Sequence, residues 1–253
     1  MDKSRCNGYK KIDSSDGSLT SSQLNDKTFY LQIGSFDPWN APAIDSVIKA
    51  NEQSLKKMAH WILDLRGNGG GADFSYAPLL PYLYTGPIIT TNVDVIASSG
   101  NIIAWEKLLD DPELPVATKK AVSEMIAKMK SNLGGFVNIV PDDTLVFDGI
   151  KSYPEKIVIL TDQHCASSTE QFLLAALQSK KVILAGQSTK GVLDYSNMRD
   201  INFPCSSRIL SYATTRSRRL NYGKGIDNKG IEPSIKLTEG QDWIKEALNI
   251  LEK

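Results

Sequence analysis

An α/β fold is predicted by three stretches of this 253-residue sequence. KIVIL (156–160) and KVILAG (181–186) are short apolar runs of strand length, and SSTEQFLLAALQSK (167–180) between them has the composition of a helix. Two parallel strands joined by a right-handed helical crossover satisfy that rhythm. TFYLQIGSF (28–36) starts the same pattern earlier, followed by Ile44, Val47, Ile48 and Leu55 at helical spacing and then by the apolar run of Trp61 to Leu65. The chain closes on EGQDWIKEALNILEK, an amphipathic helix carrying Trp243, Ile244, Leu248 and Leu251. Strands feeding helices on both faces of a sheet are the expected architecture.

Taken in order, residues 1–27 are rich in Ser, Asp, Lys and Gly and read as a tail or the remnant of an upstream module, leaving 28–253 as one α/β domain. HWILDLRGNGGG turns from strand to glycines where the backbone must bend tightly or approach something closely. Residues 76–84 read as helical, and the β-branched PIITTNVDVI (87–96) as a strand. Residues 106–130 read as a helical hairpin broken at Pro115, and 131–144 have loop chemistry. Because 98–148 fits a βαβ rhythm poorly, it is taken as an insertion that would cap a site. Further strand is expected over 202–217.

Composition excludes several functions. The 29 basic and 29 acidic side chains cancel, leaving no electrostatic footprint for nucleic acid or anionic lipid. Apolar runs stop well short of the roughly 20 residues of a membrane helix, so no integral membrane segment is expected. The first residues lack the apolar centre of a signal peptide, which fits a cytosolic protein or a trimmed mature form. Cys6, Cys165, Cys205, His60 and His164 show no metal-ligand spacing, so neither a metal nor another cofactor is expected. Cys165 and Cys205 are either a disulfide or, as expected from their type, buried free thiols.

The segment HCASSTEQF (164–172) carries the main chemical signal. Ser167 and Glu170 have the S-x-x-E spacing of a capping box, in which hydroxyl and carboxylate satisfy each other's backbone amides at a helix start. The same serine, at the carboxyl end of a buried strand, would also point into the crevice where open α/β sheets bind ligands, with the Ser168 amide and the helix dipole facing a developing oxyanion. Capping and nucleophilic attack are compatible. GNGGG (67–71) ends a second strand and can bring amides to the same crevice; it lacks the spacing of either phosphate-binding glycine motif.

These segments resemble those of the C-terminal processing (tail-specific) serine peptidases. WILDLRGNGGG is similar to that family's glycine-rich strand end and HCASSTEQF to its nucleophile segment. GQSTKGV (186–192) is similar to its next strand end and KGIEPSIKL (229–237) to its closing motif. The four occur in the family's order across 28–237. The resemblance implies a crotonase-like (ClpP/crotonase-type) core of parallel strands, a polypeptide substrate, no cofactor, and an extracytoplasmic setting, periplasmic or secreted. No PDZ-like segment is evident.

Carried over by residue, the resemblance makes Ser167 the nucleophile, with the Ser168 amide and an amide of Gly70 or Gly71 as the oxyanion hole. The processing branch places its base lysine where this sequence has Val192; Lys190, two residues earlier, is the candidate, alongside the reading of a solvated loop lysine. Relatives of the tricorn-core branch use a His, where this chain has Gln32, and an acidic residue at a place resembling Asp227. His164, the local imidazole, is a candidate base or orienter beside the favoured reading of a structural histidine aimed elsewhere by the strand end, and Asp194, with Tyr195, is a candidate to line the site or orient Lys190, or simply part of a turn. The run from Arg216 to Arg219 would bind a substrate carboxylate or form a solvated strand end, and Arg66 is expected to pair with Asp64. The alternative function is that of a family relative without catalysis that binds a peptide or an apolar ligand.

Overall fold

The computed structural model describes residues 19–202 and 208–253. Cys6 and Cys205, and with them the disulfide alternative, lie outside the described residues; Cys165 is a buried free thiol. The chain divides into two units, the first made of Met1–Ile89, Thr144–Leu193 and Ile226–Lys253, the second of Thr90–Asp143 and Asp194–Gly225.

The first unit is built on a six-stranded sheet in the order Leu19–Asn25, Thr28–Ile33, His60–Asp64, Lys156–Thr161, Val182–Gly186, Ile235–Lys236. All neighbouring pairs are parallel except Leu19–Asn25 on Thr28–Ile33, which is antiparallel. The run KIVIL is apolar at every position because both faces of the sheet are covered. Ile157 and Ile159 pack with Trp61, Leu63 and Leu31 against Phe172, Leu173 and Ala176 of the helix Ser168–Ala176 and against Ile44 and Ile48 of the helix Ala41–Ala50. Val158 and Leu160 face the other way, with Tyr30 and Ile62, onto Trp243, Ile244, Ala247 and Leu251 of the closing helix Trp243–Leu251. Helices on both sides of a mostly parallel sheet realise the α/β architecture expected from the sequence.

Several sequence expectations shift. The expected tail includes the edge strand Leu19–Asn25, whose alternating pattern is short and partly exposed. Residues 76–84 form no single helix but the short turns Asp73–Tyr76, Ala77–Leu79 and Leu80–Leu83, because Pro78 and Pro81 each remove a backbone donor. Pro87 to Ile96 splits into strands Ile88–Thr90 and Val93–Ile96, with Asn92 turned aside to donate to Asp142 and to the Pro141 carbonyl.

The second unit holds a four-stranded antiparallel sheet ordered Tyr195–Asn202, Ile209–Ser217, Val93–Ile96, Phe136–Asn138, so 131–144 contains strand as well as loop. Helices Ser99–Leu108 and Val116–Lys130 pack on it through Ile102, Val122, Ile126 and Met129. The first begins earlier than its periodicity suggests because Ser98 caps it, accepting from the Asn101 amide. The expected insertion, 98–148, therefore lies in this unit only as far as Asp143 and beyond that in the first, and the second unit also takes in the strands Tyr195–Asn202 and Ile209–Ser217 by pairing that no local pattern announces. The arginine run is not a solvated strand end. Arg218 is buried and paired with Asp94 and Asp142, and Arg219 is buried and paired with Asp194. Arg216 lies 4.3 Å from the Phe136 ring centre.

Candidate active site

The strand Lys156–Thr161 delivers the chain to a turn at Asp162, and the helix Ser168–Ala176 begins immediately after Ser167. Asp162 fixes that turn: its carboxylate accepts the His164 amide at 2.9 Å and, from the glycine loop, the Gly67 amide at 3.1 Å. Ser167 itself has φ 56° and ψ −123°. This left-handed backbone disfavours an L side chain, and a non-glycine residue persists there only when its surroundings over-determine it. A serine held at such a strand-to-helix turn has the local arrangement of a nucleophile elbow.

Glu170 is the group that holds it. The carboxylate is fully buried and accepts four hydrogen bonds: from the Ser167 amide at 3.1 Å, the Val192 amide at 3.0 Å, the Gly191 amide at 2.7 Å and the Thr189 hydroxyl at 2.6 Å. The S-x-x-E spacing anticipates only the first of these. The other three join the helix start to the loop after the strand Val182–Gly186, so one side chain positions Ser167 and residues 189–192 together.

The glycine loop is shaped by a residue the sequence reading passed over, Asn68, fully buried between glycines. Its amide donates to the Ile33 carbonyl at 2.9 Å, while its side-chain oxygen accepts the Gly70 amide at 2.9 Å and the Thr169 hydroxyl at 2.7 Å. Phe36 pairs with Gly71 as an isolated parallel bridge, and the Ser168 hydroxyl donates to the Gly71 carbonyl at 2.9 Å. The approach is too close for side chains. With φ at +102°, Gly70 would carry a Cβ only 2.6 Å from the Ala166 carbonyl oxygen and 2.8 Å from the Ser167 Cβ.

Of the amides expected to face an oxyanion, that of Gly70 is occupied by Asn68, whereas those of Gly71 and Ser168 have no hydrogen-bond partner among the described residues. Both amides thus remain open to an acceptor that the described residues do not supply.

The candidate bases are placed differently from one another. Lys190 is solvent-exposed; its backbone amide donates to the Cys165 carbonyl at 2.8 Å, anchoring it two residues before Ser167 in sequence, and its ammonium makes no ion pair among the described residues. His164 is exposed on the turn. Asp194 belongs to the second unit, fully buried and ion-paired with Arg219 at 3.2 Å. Asp227 accepts the Leu193 amide at 2.7 Å and thereby braces the end of the 189–193 loop. Among the described residues none of these four hydrogen-bonds to Ser167. Gln32 is buried and accepts from Thr20 at 3.2 Å, and Val192 is 43% exposed. Arg66 makes the expected pair, forked onto fully buried Asp64 at 2.9 and 2.6 Å, and Tyr30 donates to the same carboxylate at 3.0 Å. Burial pushes the Cys165 thiol above its usual range, and its sulfur donates to the Leu65 carbonyl at 3.0 Å, which makes it a structural thiol.

A further acid, Asp73, stands two residues beyond Gly71. The residue as a whole is exposed, and partial burial of its carboxyl raises it above the usual carboxylate range, with Ser168 and Tyr76 nearby acting in the lowering direction. Nothing in the run GGGADF marks this aspartate as different from a loop residue.

The family model for peptidase family S41 matches residues 27–237. The chain belongs to peptidase family S41. Among solved structures, the S41 chain is similar to a candidate peptidase from Parabacteroides merdae, with TM-score 0.61 and 18% identity over 98% of this chain and 68% of that one. Mature CPAF matches with TM-score 0.61 and 16% identity over 92% of this chain and 52% of that one. The photosystem II D1 C-terminal processing protease matches with TM-score 0.50 and 16% identity over 89% of this chain and 47% of that one. At these identities the likeness establishes a shared fold, and the chain spans about half the length of the latter two. Among curated proteins, none matches this sequence.

Proposed function

We propose that this S41 chain is a serine endopeptidase of the C-terminal processing type, with a crotonase-like core, acting on extended polypeptide outside the cytosol. The observation that carries the reading is the strained Ser167 at a strand-to-helix turn, locked by Glu170 and followed by Ser168, whose amide, like that of the Gly71 bonded to its hydroxyl, has no partner among the described residues. In this reading the Ser167 hydroxyl gives its proton to the base and attacks the scissile carbonyl, the two amides hold the tetrahedral oxyanion, and its collapse breaks the C–N bond, the amine leaving with that proton and an acyl-enzyme remaining for water to hydrolyse. Lys190 is the base we assign. Its backbone is tied to the nucleophile turn through the Cys165 carbonyl, and its ammonium makes no ion pair among the described residues. Main-chain pairing of the substrate to a strand would supply binding with little demand on side chains.

The test is digestion of an unfolded protein by the purified chain, read by mass spectrometry, together with fluorophosphonate labelling of Ser167. Wild type should cut and label, Ser167→Ala should do neither, and Lys190→Ala should lose at least about a hundredfold in rate. Unchanged cleavage by Ser167→Ala refutes the assignment.

A further inference from the structure

We propose that Thr189 is a positioning residue of the active site, the link through which the closing motif, Lys229 to Leu237, holds the Glu170 carboxylate and, by it, the nucleophile turn. This role rests on Ser167 being the nucleophile.

Of the four sequence motifs, the closing one supplies neither nucleophile, base nor amide donor. Its Ile231 lies against the loop after the strand Val182–Gly186 and meets Thr189 at both backbone and side chain. The Thr189 amide donates to the Ile231 carbonyl at 3.2 Å, and the Ile231 amide donates to the Thr189 hydroxyl oxygen at 2.8 Å. The two segments approach too closely for a side chain at residue 230: with φ at +73°, a Cβ on Gly230 would lie 2.1 Å from the Thr189 carbonyl oxygen. Two further bonds run beside this contact, from the Asn228 amide to the Gly191 carbonyl at 2.9 Å and from the Leu193 amide to the Asp227 carboxylate at 2.7 Å.

The hydroxyl of buried Thr189 has one proton. Its oxygen receives the Ile231 amide, and its proton goes to the Glu170 carboxylate at 2.6 Å. A hydroxyl that accepts one hydrogen bond is polarised into a stronger donor for the next. The last torsion of a glutamate side chain is soft, so the carboxylate plane lies where its donors put it. One oxygen takes Thr189 and Gly191, and the other takes Ser167 and Val192. Thr189 is the one side chain among these four donors, and so the one that a substitution can remove. Ile231, Thr189, Glu170 and Ser167 thus form a continuous chain of hydrogen bonds from the closing motif to the nucleophile turn.

The experiment compares wild type with Thr189→Ser, which keeps the hydroxyl, and Thr189→Val, which keeps the shape and turns a methyl to the carboxylate. Thr189→Ala removes the hydroxyl without adding that methyl and takes the place of the valine variant if the latter does not fold. Three quantities are measured on the full chain: hydrogen exchange at the Ser167 amide, read against Leu160 in the sheet as the reporter of global opening; fluorophosphonate labelling of Ser167 per folded molecule; and kcat and KM for an unfolded polypeptide. Loss of one charge-assisted hydrogen bond in Thr189→Val should speed exchange at Ser167 by about tenfold relative to Leu160. Labelling and kcat should fall by a similar factor with KM unmoved, and Thr189→Ser should stay within about twofold of wild type in all three. A residue that only stabilises the fold would accelerate Ser167 and Leu160 alike, and that result would overturn the proposal. So would wild-type exchange and labelling in Thr189→Val, or a loss in Thr189→Ser as large as in Thr189→Val, which would assign the effect to packing rather than to the hydroxyl. If wild type neither cuts polypeptide nor labels, the peptidase reading falls, and exchange at Ser167 still decides whether Thr189 holds the turn.

Discussion

Replacing Glu170 by Gln keeps the shape of the side chain and removes half of its acceptors. In the native structure one carboxylate oxygen serves Thr189 and Gly191, and the other serves Ser167 and Val192. A glutamine can present its carbonyl to only one pair, so the other pair faces an NH2 group. The carbonyl will take the Thr189 and Gly191 side, since those residues are the more buried, and the amides of half-buried Ser167 and exposed Val192 lose their acceptor. An unmade buried hydrogen bond costs about 1–3 kcal/mol, which sets about 2–6 kcal/mol for two. Partial access to water at both residues places the expected value near the lower end, about 2–3 kcal/mol. Urea unfolding of wild type and Glu170→Gln measures this directly. The strained backbone of Ser167 is released by the same change, so fluorophosphonate labelling should slow far more than stability alone explains. A stability loss below about 0.5 kcal/mol, or labelling at the wild-type rate, would refute the claim that Glu170 organises the site.

Other perturbations follow from the same geometry. Gly70→Ala forces a Cβ to within 2.6 Å of the Ala166 carbonyl oxygen at a left-handed φ, so it should lower the rate of substrate cleavage by about a hundredfold or more while substrate-independent urea unfolding shows a loss of stability. Phe172→Ala opens a cavity between Phe36 and Tyr76, whose ring centres lie 5.8 and 5.3 Å away, and should cost about 3–5 kcal/mol by urea unfolding. His60 is held below the usual histidine range, by burial first and by Lys156 second. A depressed histidine favours folding above its unfolded pKa of about 6.5, and that contribution is lost as pH falls through the lower folded value. Thermal melts of wild type should accordingly fall more steeply from pH 7 to pH 5 than those of His60→Gln, and parallel slopes would discard this account.

Much of the first unit is legible from local patterns because its elements are determined locally. KIVIL is apolar on both faces and can only be a covered strand, and the closing helix shows its buried stripe at helical spacing. The short turns at 73–83 were less legible because two prolines cut a pattern that composition alone makes helical. The second unit was hidden for a different reason. It joins 90–143 to 194–225 by pairing strands far apart in the chain, and the partners of Arg218 and Arg219 come from that pairing.

The same division holds at the site. The sequence by itself determined the order of the four motifs, the serine at the strand end, and the glutamate three residues on, since spacing along one helix turn is enough to bring Ser167 and Glu170 together. Only the tertiary structure decided that Glu170 also clasps residues 189–192, that Asn68 consumes the Gly70 amide and leaves that of Gly71, and that Asp194 belongs to Arg219. Each of those is a hydrogen bond or ion pair between segments whose approach is set by sheet register and loop path. A buried donor must find some acceptor, but which one it finds depends on which strands lie side by side.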